Sequence, residues 1–186
     1  MEIDFANKVL MPKKWLALIG DRASGKTTLL TRLAEEMKLP SYDLDDVISR
    51  RVSRDHNDFF KLYGERRFRD QEELALHSLP NSPTLLSCGG GTCFNQLAMK
   101  LLSKKARFLF LDVPSAVLVA RRKLGGDPRP LLGKFQSIEA EVAALYQSRR
   151  ETYRRVADWT ISWQGEDQEK MVAKILTYFR EEYGLE

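Results

Sequence analysis

A lysine and a threonine follow a glycine-rich stretch near the start of the chain. The segment GDRASGKTT, residues 20–28, fits the pattern G-x-x-x-x-G-K-[ST] and lies between the apolar run WLALI and the periodic segment LLTRLAEEMKL. A buried strand, a turn and an amphipathic helix are the context in which this pattern cradles phosphate. Gly20 and Gly25 allow backbone N–H groups to converge on phosphate oxygens, and the helix adds the positive end of its dipole.

The side chains of this segment complete a nucleoside triphosphate site. Lys26 is a cation for the β- and γ-phosphates, and the Thr27 hydroxyl is a natural ligand of Mg²⁺. A chance match in an ordinary loop is the alternative, and the strand–turn–helix context argues against it. We therefore predict that the nucleotide is bound by Gly20, Asp21, Arg22, Ala23, Ser24, Gly25, Lys26, Thr27 and Thr28.

Two aspartates follow the second predicted strand, in the segment SYDLDD. Asp43 and Asp45 are two residues apart, and alternation along an extended chain would point both carboxylates to the same face. One could hold Mg²⁺ through water, and the other could take a proton from an attacking hydroxyl. The structural alternative is a helix N-cap followed by a solvated turn.

Glycines and arginines further along the chain have both structural and functional interpretations. Arg69 has acidic residues three and four positions away, which also fits a surface ion-pair ladder on a helix. The glycines at 89–91 are either a simple turn or a close approach of backbone to ligand. Arg129 lies in the glycine- and proline-rich segment LGGDPRPLLGK, where it is an exposed loop charge or a cation that a closing flap brings to phosphate. Arg149 lies on the solvated face of a helix or in the site.

Alternating strands and helices must position these residues. Short apolar strands are predicted at 15–19, 41–46, 84–88, 106–114 and 159–162, with helices between them. Among the helices, one begins near Val47, one is broken at Gly64, and one begins with Ser115 as its N-cap. The pattern predicts an α/β fold, a three-layer sandwich with a central parallel sheet of about five strands.

Composition limits the class of protein. The chain has 186 residues, of which 43% are hydrophobic, enough for one domain with one core. It has no apolar run of the roughly 20 residues that a membrane span needs, and its acidic N-terminus is unlike a signal peptide. Its two cysteines fit a reduced, cytoplasmic protein, as small core residues. The net charge of +4 fits a polyanionic nucleotide as well as a nucleic acid, and the arginines form no tract.

Taken in order, these motifs resemble those of the shikimate kinase family. The phosphate-binding pattern alone occurs in many families, whereas the ordered set is specific and covers the chain from about Trp15 to its last helix. The set is GxxxxGKT, D-x-D, FR-x-x-E, GGG, an arginine before RPLL, and R-x-x-x-Y. In this sequence it falls at 20–27, Asp43 and Asp45, 68–72, 89–91, Arg122 with 129–132, and Arg149 with Tyr153.

The resemblance implies a role for each matching residue. Lys26, Asp45 and Arg129 would be catalytic, and Thr27 and Asp43 would lie beside Mg²⁺. Arg122 would stack on adenine, and Arg129 would reach the transferring phosphate of ATP. Two guanidinium groups can recognise one carboxylate bidentately. The shikimate site would consist of Asp45, Arg69, Gly89, Gly90, Gly91 and Arg149.

The family also implies an organisation and an activity. We expect an N-terminal extension (1–13) and one P-loop kinase domain (14–186) of the nucleoside-monophosphate-kinase-like type, with an acceptor region at about 45–80 and a mobile flap at about 124–134. The activity would be transfer of the ATP γ-phosphoryl group to the 3-hydroxyl of shikimate in aromatic amino acid biosynthesis. The protein would be a cytoplasmic monomer that binds neither nucleic acid nor membrane.

The sequence departs from the family pattern at named positions. Ala23 stands where the phosphate-binding loop usually has a further glycine. After Asp45 the family commonly has a Gly-x-Ser-Ile stretch, whereas this chain has SRDH, so that His56 replaces an apolar residue of the acceptor pocket. The N-terminal extension is the remaining difference.

Other functions remain open on the sequence alone. The nearest alternative is a related P-loop kinase with a different hydroxylated acceptor. A nucleoside monophosphate kinase would be expected to carry DG rather than GGG after the third strand, and a polyol kinase gives less reason for Asp45, Arg69 and Arg149 together. A nucleic-acid-binding ATPase would be expected to show a basic patch with exposed aromatic residues.

Overall fold

Helical segments separate all five strands in the described residues. The structure is a computed structural model, and it describes residues 15–125, 135–163 and 168–183. The N-terminal extension and most of the predicted flap, including Arg129, lie outside these residues. None of the helices within the three described ranges is long and apolar enough to cross a membrane. The elements are β1 (Trp15–Ile19), α1 (Lys26–Met37), β2 (Ser41–Asp43), α2 (Leu44–Val52), α3 (His56–Ser78), β3 (Thr84–Ser87), α4 (Gln96–Lys105), β4 (Ala106–Asp112), α5 (Ser115–Lys123), α6 (Ile138–Val156), β5 (Trp159–Ser162) and α7 (Gln168–Tyr183).

The five strands form one parallel sheet in the order β2-β3-β1-β4-β5. β1 is central, and Ala17 in it faces Leu86 of β3 on one side and Phe108 of β4 on the other. The chain builds the sheet to one side of β1 and then to the other, so a topological switch point lies at the carboxyl end of β1. Ligands of open α/β sheets bind at such points. The phosphate-binding segment begins there.

The side chains of β1 alternate between two hydrophobic clusters. Trp15, Ala17 and Ile19 pack into a cluster with residues of α2, α3 and α4, whereas Leu16 and Leu18 pack with α1 and α7. Burial on both faces explains why the strand sequences are nearly continuous apolar runs. Helices cover both faces of the sheet, which confirms the predicted three-layer α/β sandwich.

The second strand is shorter than predicted. β2 ends at Asp43, whose side-chain Oδ1 accepts the backbone N–H of Asp45 at 3.0 Å and so caps α2. Aspartate is a favoured N-cap, and here the cap starts a helix at Leu44 rather than near Val47. Asp45 therefore lies in the first turn of α2, and the prediction that Asp43 and Asp45 point to one face of an extended strand was wrong. Both carboxylates nevertheless line one pocket.

Two other helix boundaries test the sequence patterns. Gly64 has φ 76° and ψ 176° and interrupts α3, which confirms the predicted break. The N-cap of α5 is Pro114, and Ser115 is the first helical residue, so the prediction of a serine cap was wrong. Proline fixes its own φ near the helical value but leaves an extended ψ, and it can therefore precede a helix without a capping side chain.

The two cysteines are buried and not bridged to each other. Burial raises the pKa of Cys88 well above its usual value and that of Cys93 to about 12. A thiol that stays protonated is a poor nucleophile. Both residues are part of the larger hydrophobic cluster, as predicted.

The hydrophobic cluster beneath α4 gives a direct test of the fold. Leu102 is fully buried, so Leu102→Ala should lower the free energy of unfolding by about 2–5 kcal/mol through lost contacts and a residual cavity. Urea denaturation followed by circular dichroism measures this. Lys100→Ala, an exposed change in the same helix, should stay within about 0.5 kcal/mol of the wild type. Equal effects of the two changes would contradict the assigned packing of α4.

Candidate active site

The loop between β1 and α1 closes around the ammonium group of Lys26. Nζ of Lys26 donates to the carbonyl oxygens of Gly20 at 2.9 Å and Asp21 at 2.7 Å, and it lies 3.3 Å from Oγ of Ser24. The N-cap of α1 is Gly25, in the left-handed region with φ 97°, and no side chain caps this helix end. The N–H groups of the first turn and the lysine are therefore directed to one place, as an anion site requires.

Ala23 adopts a backbone conformation that favours glycine. Its φ is 63°, and left-handed backbone costs a non-glycine residue roughly 1–2 kcal/mol. The Arg121 side chain from α5 donates through Nη1 to the carbonyl oxygens of Ala23 at 3.2 Å and Ser24 at 2.9 Å. These contacts hold the turn from outside, so the loop keeps its shape although it lacks the usual glycine.

A hydroxyl and a carboxylate meet at the start of α1. Oγ1 of Thr27 donates to Oδ2 of Asp43 at 2.7 Å, and both residues line the pocket. Mg²⁺ prefers oxygen ligands of this kind and usually takes its other ligands from phosphate and water. No cluster of three or more His, Cys, Asp or Glu side chains in the described ranges could hold a metal ion by itself. The donor set therefore fits an ion that arrives with a nucleotide.

The turn at 89–91 lies against three of the predicted acceptor-binding side chains. A β-carbon added to Gly89 would lie 3.0 Å from Oδ1 of Asp45, and one added to Gly90 would lie 3.1 Å from Nη1 of Arg149. One added to Gly91 would overlap the guanidinium of Arg69. Side chains on this turn would thus displace the charged groups. The structure brings together residues from α2, α3 and α6 that are far apart in the sequence.

A buried carboxylate fixes the orientation of Arg69. Nη1 of Arg69 donates to Oε2 of Glu72 at 2.7 Å, while Nη2 lies 3.2 Å from Oε1 of Glu65. The Glu72 side chain is fully buried and also accepts from Oγ1 of Thr92 at 2.8 Å and Nδ2 of Asn95 at 3.0 Å. Burial by itself lowers the pKa of Arg69, but the two carboxylates raise it above its usual value. Of these two carboxylates, only Glu65 is exposed, as the surface ion-pair ladder allowed by the sequence requires.

Tyr153 connects the turn at 89–91 to the phosphate-binding loop. Its hydroxyl donates to the carbonyl oxygen of Gly90 at 2.6 Å, and burial raises its pKa, so it stays a donor. Its side chain also interacts with Asp21 and Arg149. Burial raises the pKa of Asp21, and the charges of Lys26 and Arg149 oppose that effect. Tyr153 therefore links the phosphate-binding loop and the turn at 89–91 through buried polar contacts.

Adjacent arginines in α5 have different surroundings. The Arg122 side chain is 3% exposed and donates through Nη2 to Oε2 of the buried Glu141 at 3.0 Å. It is not among the residues that line the pocket. Arg121 does line the pocket, and its guanidinium lies 4.9 Å from the ring centre of Trp163. The predicted nucleotide contact of Arg122 stays a prediction, and Arg121 is a second candidate from the same helix. Arg122 follows the buried Leu118 by four residues, a spacing that indicates the core face.

One pocket of about 450 Å³ is lined both by residues of the phosphate-binding segment and by residues predicted to bind the acceptor. Three of the predicted residues in the phosphate-binding segment, Gly20, Asp21 and Ser24, are buried behind its wall. Arg69, Gly91 and Arg149 lie at the turn beside it, as the contacts above show. The lining residues are Arg22, Ala23, Gly25, Lys26, Thr27, Thr28, Asp43, Asp45, Ser87, Cys88, Gly89, Gly90, Arg121 and Leu124.

Glu72, Thr92 and Asn95 had no functional role predicted from the sequence. Glu72 was named as one of several acids near Arg69 and as the last residue of the FR-x-x-E motif, but without a role, because helical spacing does not distinguish a buried acid from an exposed one. Phe68, Glu72, Ala75 and Leu76 form the buried face of α3. An acid within an otherwise apolar helix face is the signal that points to a buried ion pair.

The two carboxylates that pair with Arg69 allow a matched test. Glu72→Gln should lower the free energy of unfolding by about 1.5–3 kcal/mol, since an amide N–H₂ then faces buried donors. Glu65→Gln should change it by less than about 0.5 kcal/mol, because the Glu65 side chain is 69% exposed. Chemical denaturation of both variants gives the two values. Similar losses would show that burial does not set the strength of these pairs.

Comparisons with known proteins agree with this geometry. The family model for shikimate kinase matches residues 22–180. The chain is similar to the shikimate kinase of Enterococcus faecalis, with 30% identity over 89% of this chain and 98% of the relative. It is also similar to that of Limosilactobacillus fermentum, with 37% identity over 78% and 84%. A solved structure of shikimate kinase from Acinetobacter baumannii in complex with shikimate superposes with a TM-score of 0.82, at 26% identity over 91% and 94% of the two chains. The chain belongs to the shikimate kinase family.

Proposed function

We propose that this protein transfers the γ-phosphoryl group of ATP to the 3-hydroxyl of shikimate, giving shikimate 3-phosphate and ADP. The observation that carries the proposal is the convergence of Asp45, Arg69 and Arg149 on the turn at 89–91. Shikimate combines a carboxylate with ring hydroxyls. Two guanidinium groups and a carboxylate in one place match that combination.

The nucleotide and acceptor ends of the site are in contact. A β-carbon on Gly90 would lie 3.8 Å from the carbonyl oxygen of Gly20, so the acceptor turn lies directly beside the phosphate-binding loop. Holding two reactants close together is the main contribution that a phosphoryl-transfer enzyme makes. The geometry favours direct transfer from one bound substrate to the other.

Lys26 and the first turn of α1 would bind the phosphates of ATP. The lysine would exchange its present bonds to the loop carbonyls for phosphate oxygens and neutralise charge as transfer proceeds. Thr27 and Asp43 would hold Mg²⁺, which supplies further charge neutralisation when it is bound. Arg121 and Trp163 would form a flat surface for the base. Arg129, beyond the described residues, is proposed to reach the γ-phosphate from the flap.

Asp45 would act on the acceptor. Its side chain is 17% exposed, and Oδ1 lies against Gly89 within the pocket. From there it would orient the attacking hydroxyl and accept its proton. Arg69 and Arg149 would hold the carboxylate of the acceptor, and the buried Glu72 would keep Arg69 in place. Closure of the flap would exclude water and so limit ATP hydrolysis.

A comparison of acceptors tests the proposal. ADP release from Mg·ATP should occur with shikimate and should remain at the background rate with quinate, gluconate or nucleoside monophosphates. Turnover only with one of those other acceptors would show that the protein is a kinase with a different substrate. Stimulation by DNA or RNA, with none by shikimate, would instead favour a nucleic-acid-dependent ATPase.

We expect the active protein to be a cytoplasmic monomer, which sedimentation and cell fractionation can test.

Replacing Lys26 tests the nucleotide half of the site. Lys26→Ala should lower kcat by roughly 10²–10³-fold, because it removes a cation directed at charge that develops in the transition state. Steady-state ADP release measures the loss. The circular dichroism spectrum should be that of the wild type, since the lysine contacts loop carbonyls and a hydroxyl. A folded variant with wild-type turnover would contradict the assignment.

Replacing Arg149 tests the acceptor half. Arg149→Ala should weaken shikimate binding tenfold to over a hundredfold, since a charged hydrogen bond contributes about 1.5–3 kcal/mol. ATP binding should change much less, and calorimetric titration with each ligand separates the two effects. Arg155→Ala, an exposed change in the same helix, is the control. Equal weakening of both ligands by Arg149→Ala would indicate a structural role.

A further inference from the structure

His56 lies next to the proposed catalytic carboxylate. It is the first residue of α3, and its side chain is 16% exposed. Nε2 of His56 is 3.8 Å from Oδ2 of Asp45. The family pattern inferred from the sequence has an apolar residue at this position, whereas this chain places a polar ring beside the carboxylate.

Ser49 fixes the imidazole from the opposite side. Oγ of Ser49 accepts the backbone N–H of His56 at 2.9 Å and lies 3.2 Å from Nδ1 of the ring. In the structure this hydroxyl donates to the carbonyl oxygen of Asp45 at 3.0 Å, and that oxygen also accepts a backbone N–H in the α2 ladder. The serine hydroxyl can therefore turn its hydrogen to Nδ1 without leaving the carbonyl oxygen unpaired. In that tautomer, and in the imidazolium, Nε2 carries a hydrogen.

Nε2 is shielded from solvent and has no hydrogen-bond partner within the described residues. The 3.8 Å to Oδ2 of Asp45 exceeds the usual limit of about 3.2 Å by less than 1 Å. An unpaired buried donor is unfavourable. A small rotation of either side chain would close this bond. Nδ1 also has Asp55 Oδ2 at 3.8 Å, but that carboxylate is 54% exposed and therefore screened by water.

The two oxygens of Asp45 have different surroundings. Oδ2 faces the buried imidazole, whereas Oδ1 lies 3.0 Å from the position of a β-carbon on Gly89, in the pocket wall. A donor on Oδ2 would fix the rotation of the carboxylate about its last bond. Oδ1 would then keep a constant direction towards the pocket.

We propose that His56 is a positioning residue for phosphoryl transfer, whose Nε2–H group holds Oδ2 of Asp45 and so directs Oδ1 to the hydroxyl of the acceptor. This inference rests on the proposed function, because it assigns Asp45 to the acceptor. Because His56 would orient the carboxylate of Asp45, its loss should lower kcat more than it weakens the binding of either substrate.

Two variants of similar length separate hydrogen bonding from packing. His56→Gln keeps an N–H donor near the place of Nε2, and His56→Met has comparable reach without a donor. With shikimate as the acceptor, His56→Met should lower kcat about tenfold to 100-fold and leave the KM for ATP within about twofold. His56→Gln should stay within about threefold of the wild type. His77→Met, at the exposed histidine of the same helix, is the control and should change neither parameter.

The outcomes distinguish the inference from the proposed function. A wild type that phosphorylates shikimate, with kcat unchanged in His56→Met, overturns the role of His56 alone. Equal losses in His56→Met and His56→Gln, with equal falls in melting temperature, also overturn it, because packing then explains the effect. A wild type that does not phosphorylate shikimate overturns the proposed function and the role of His56 with it.

Discussion

The active site depends on a turn that has no room for side chains. At residues 89–91 the space of each β-carbon is taken or closely approached by a charged group, from Asp45, Arg149 and Arg69. The backbone of this turn follows the buried strand β3 and is tied to α6 by the Tyr153 hydroxyl, which donates to the Gly90 carbonyl at 2.6 Å. Because four elements meet there, a side chain at any of the three glycines would disturb all of them together. The close approach of charge to backbone is therefore the constraint from which the proposed acceptor site follows.

Buried carboxylates compensate arginines both at this site and elsewhere in the fold. Glu72 pairs with Arg69, Glu141 pairs with Arg122, and Oδ1 and Oδ2 of Asp112 accept from Arg150 at 2.9 and 2.8 Å. Each buried acid accepts from a guanidinium, so the cost of removing the charges from water is partly offset. These pairs also fix the planes of the guanidinium groups. A carboxylate substrate would then meet a site that needs little rearrangement.

The sequence predicted the fold better than it predicted the surroundings of single side chains. The five strands were predictable because runs such as WLALI are apolar on both faces, and helical periodicity placed the helices between them. Asp45 was misplaced because a three-residue strand and an aspartate cap leave no periodic signal that separates strand from helix. Arg121 and Arg122 could not be distinguished by composition, since a rotation of about 100° per residue decides which one meets Glu141. Whether Glu72 is buried depends on Thr92 and Asn95, which lie in another part of the chain.

Two of the departures from the family pattern have compensating contacts nearby. Ala23 takes a left-handed conformation without glycine, and Arg121 donates to its carbonyl oxygen and to that of the next residue. His56 brings a polar ring into the acceptor region, and Ser49 contacts both its backbone and Nδ1. What remains unsatisfied at His56 is Nε2, the atom that faces Asp45, the carboxylate proposed as catalytic. That asymmetry is what a functional replacement predicts, because the supporting contacts orient the ring and the remaining donor is directed at the group proposed to react.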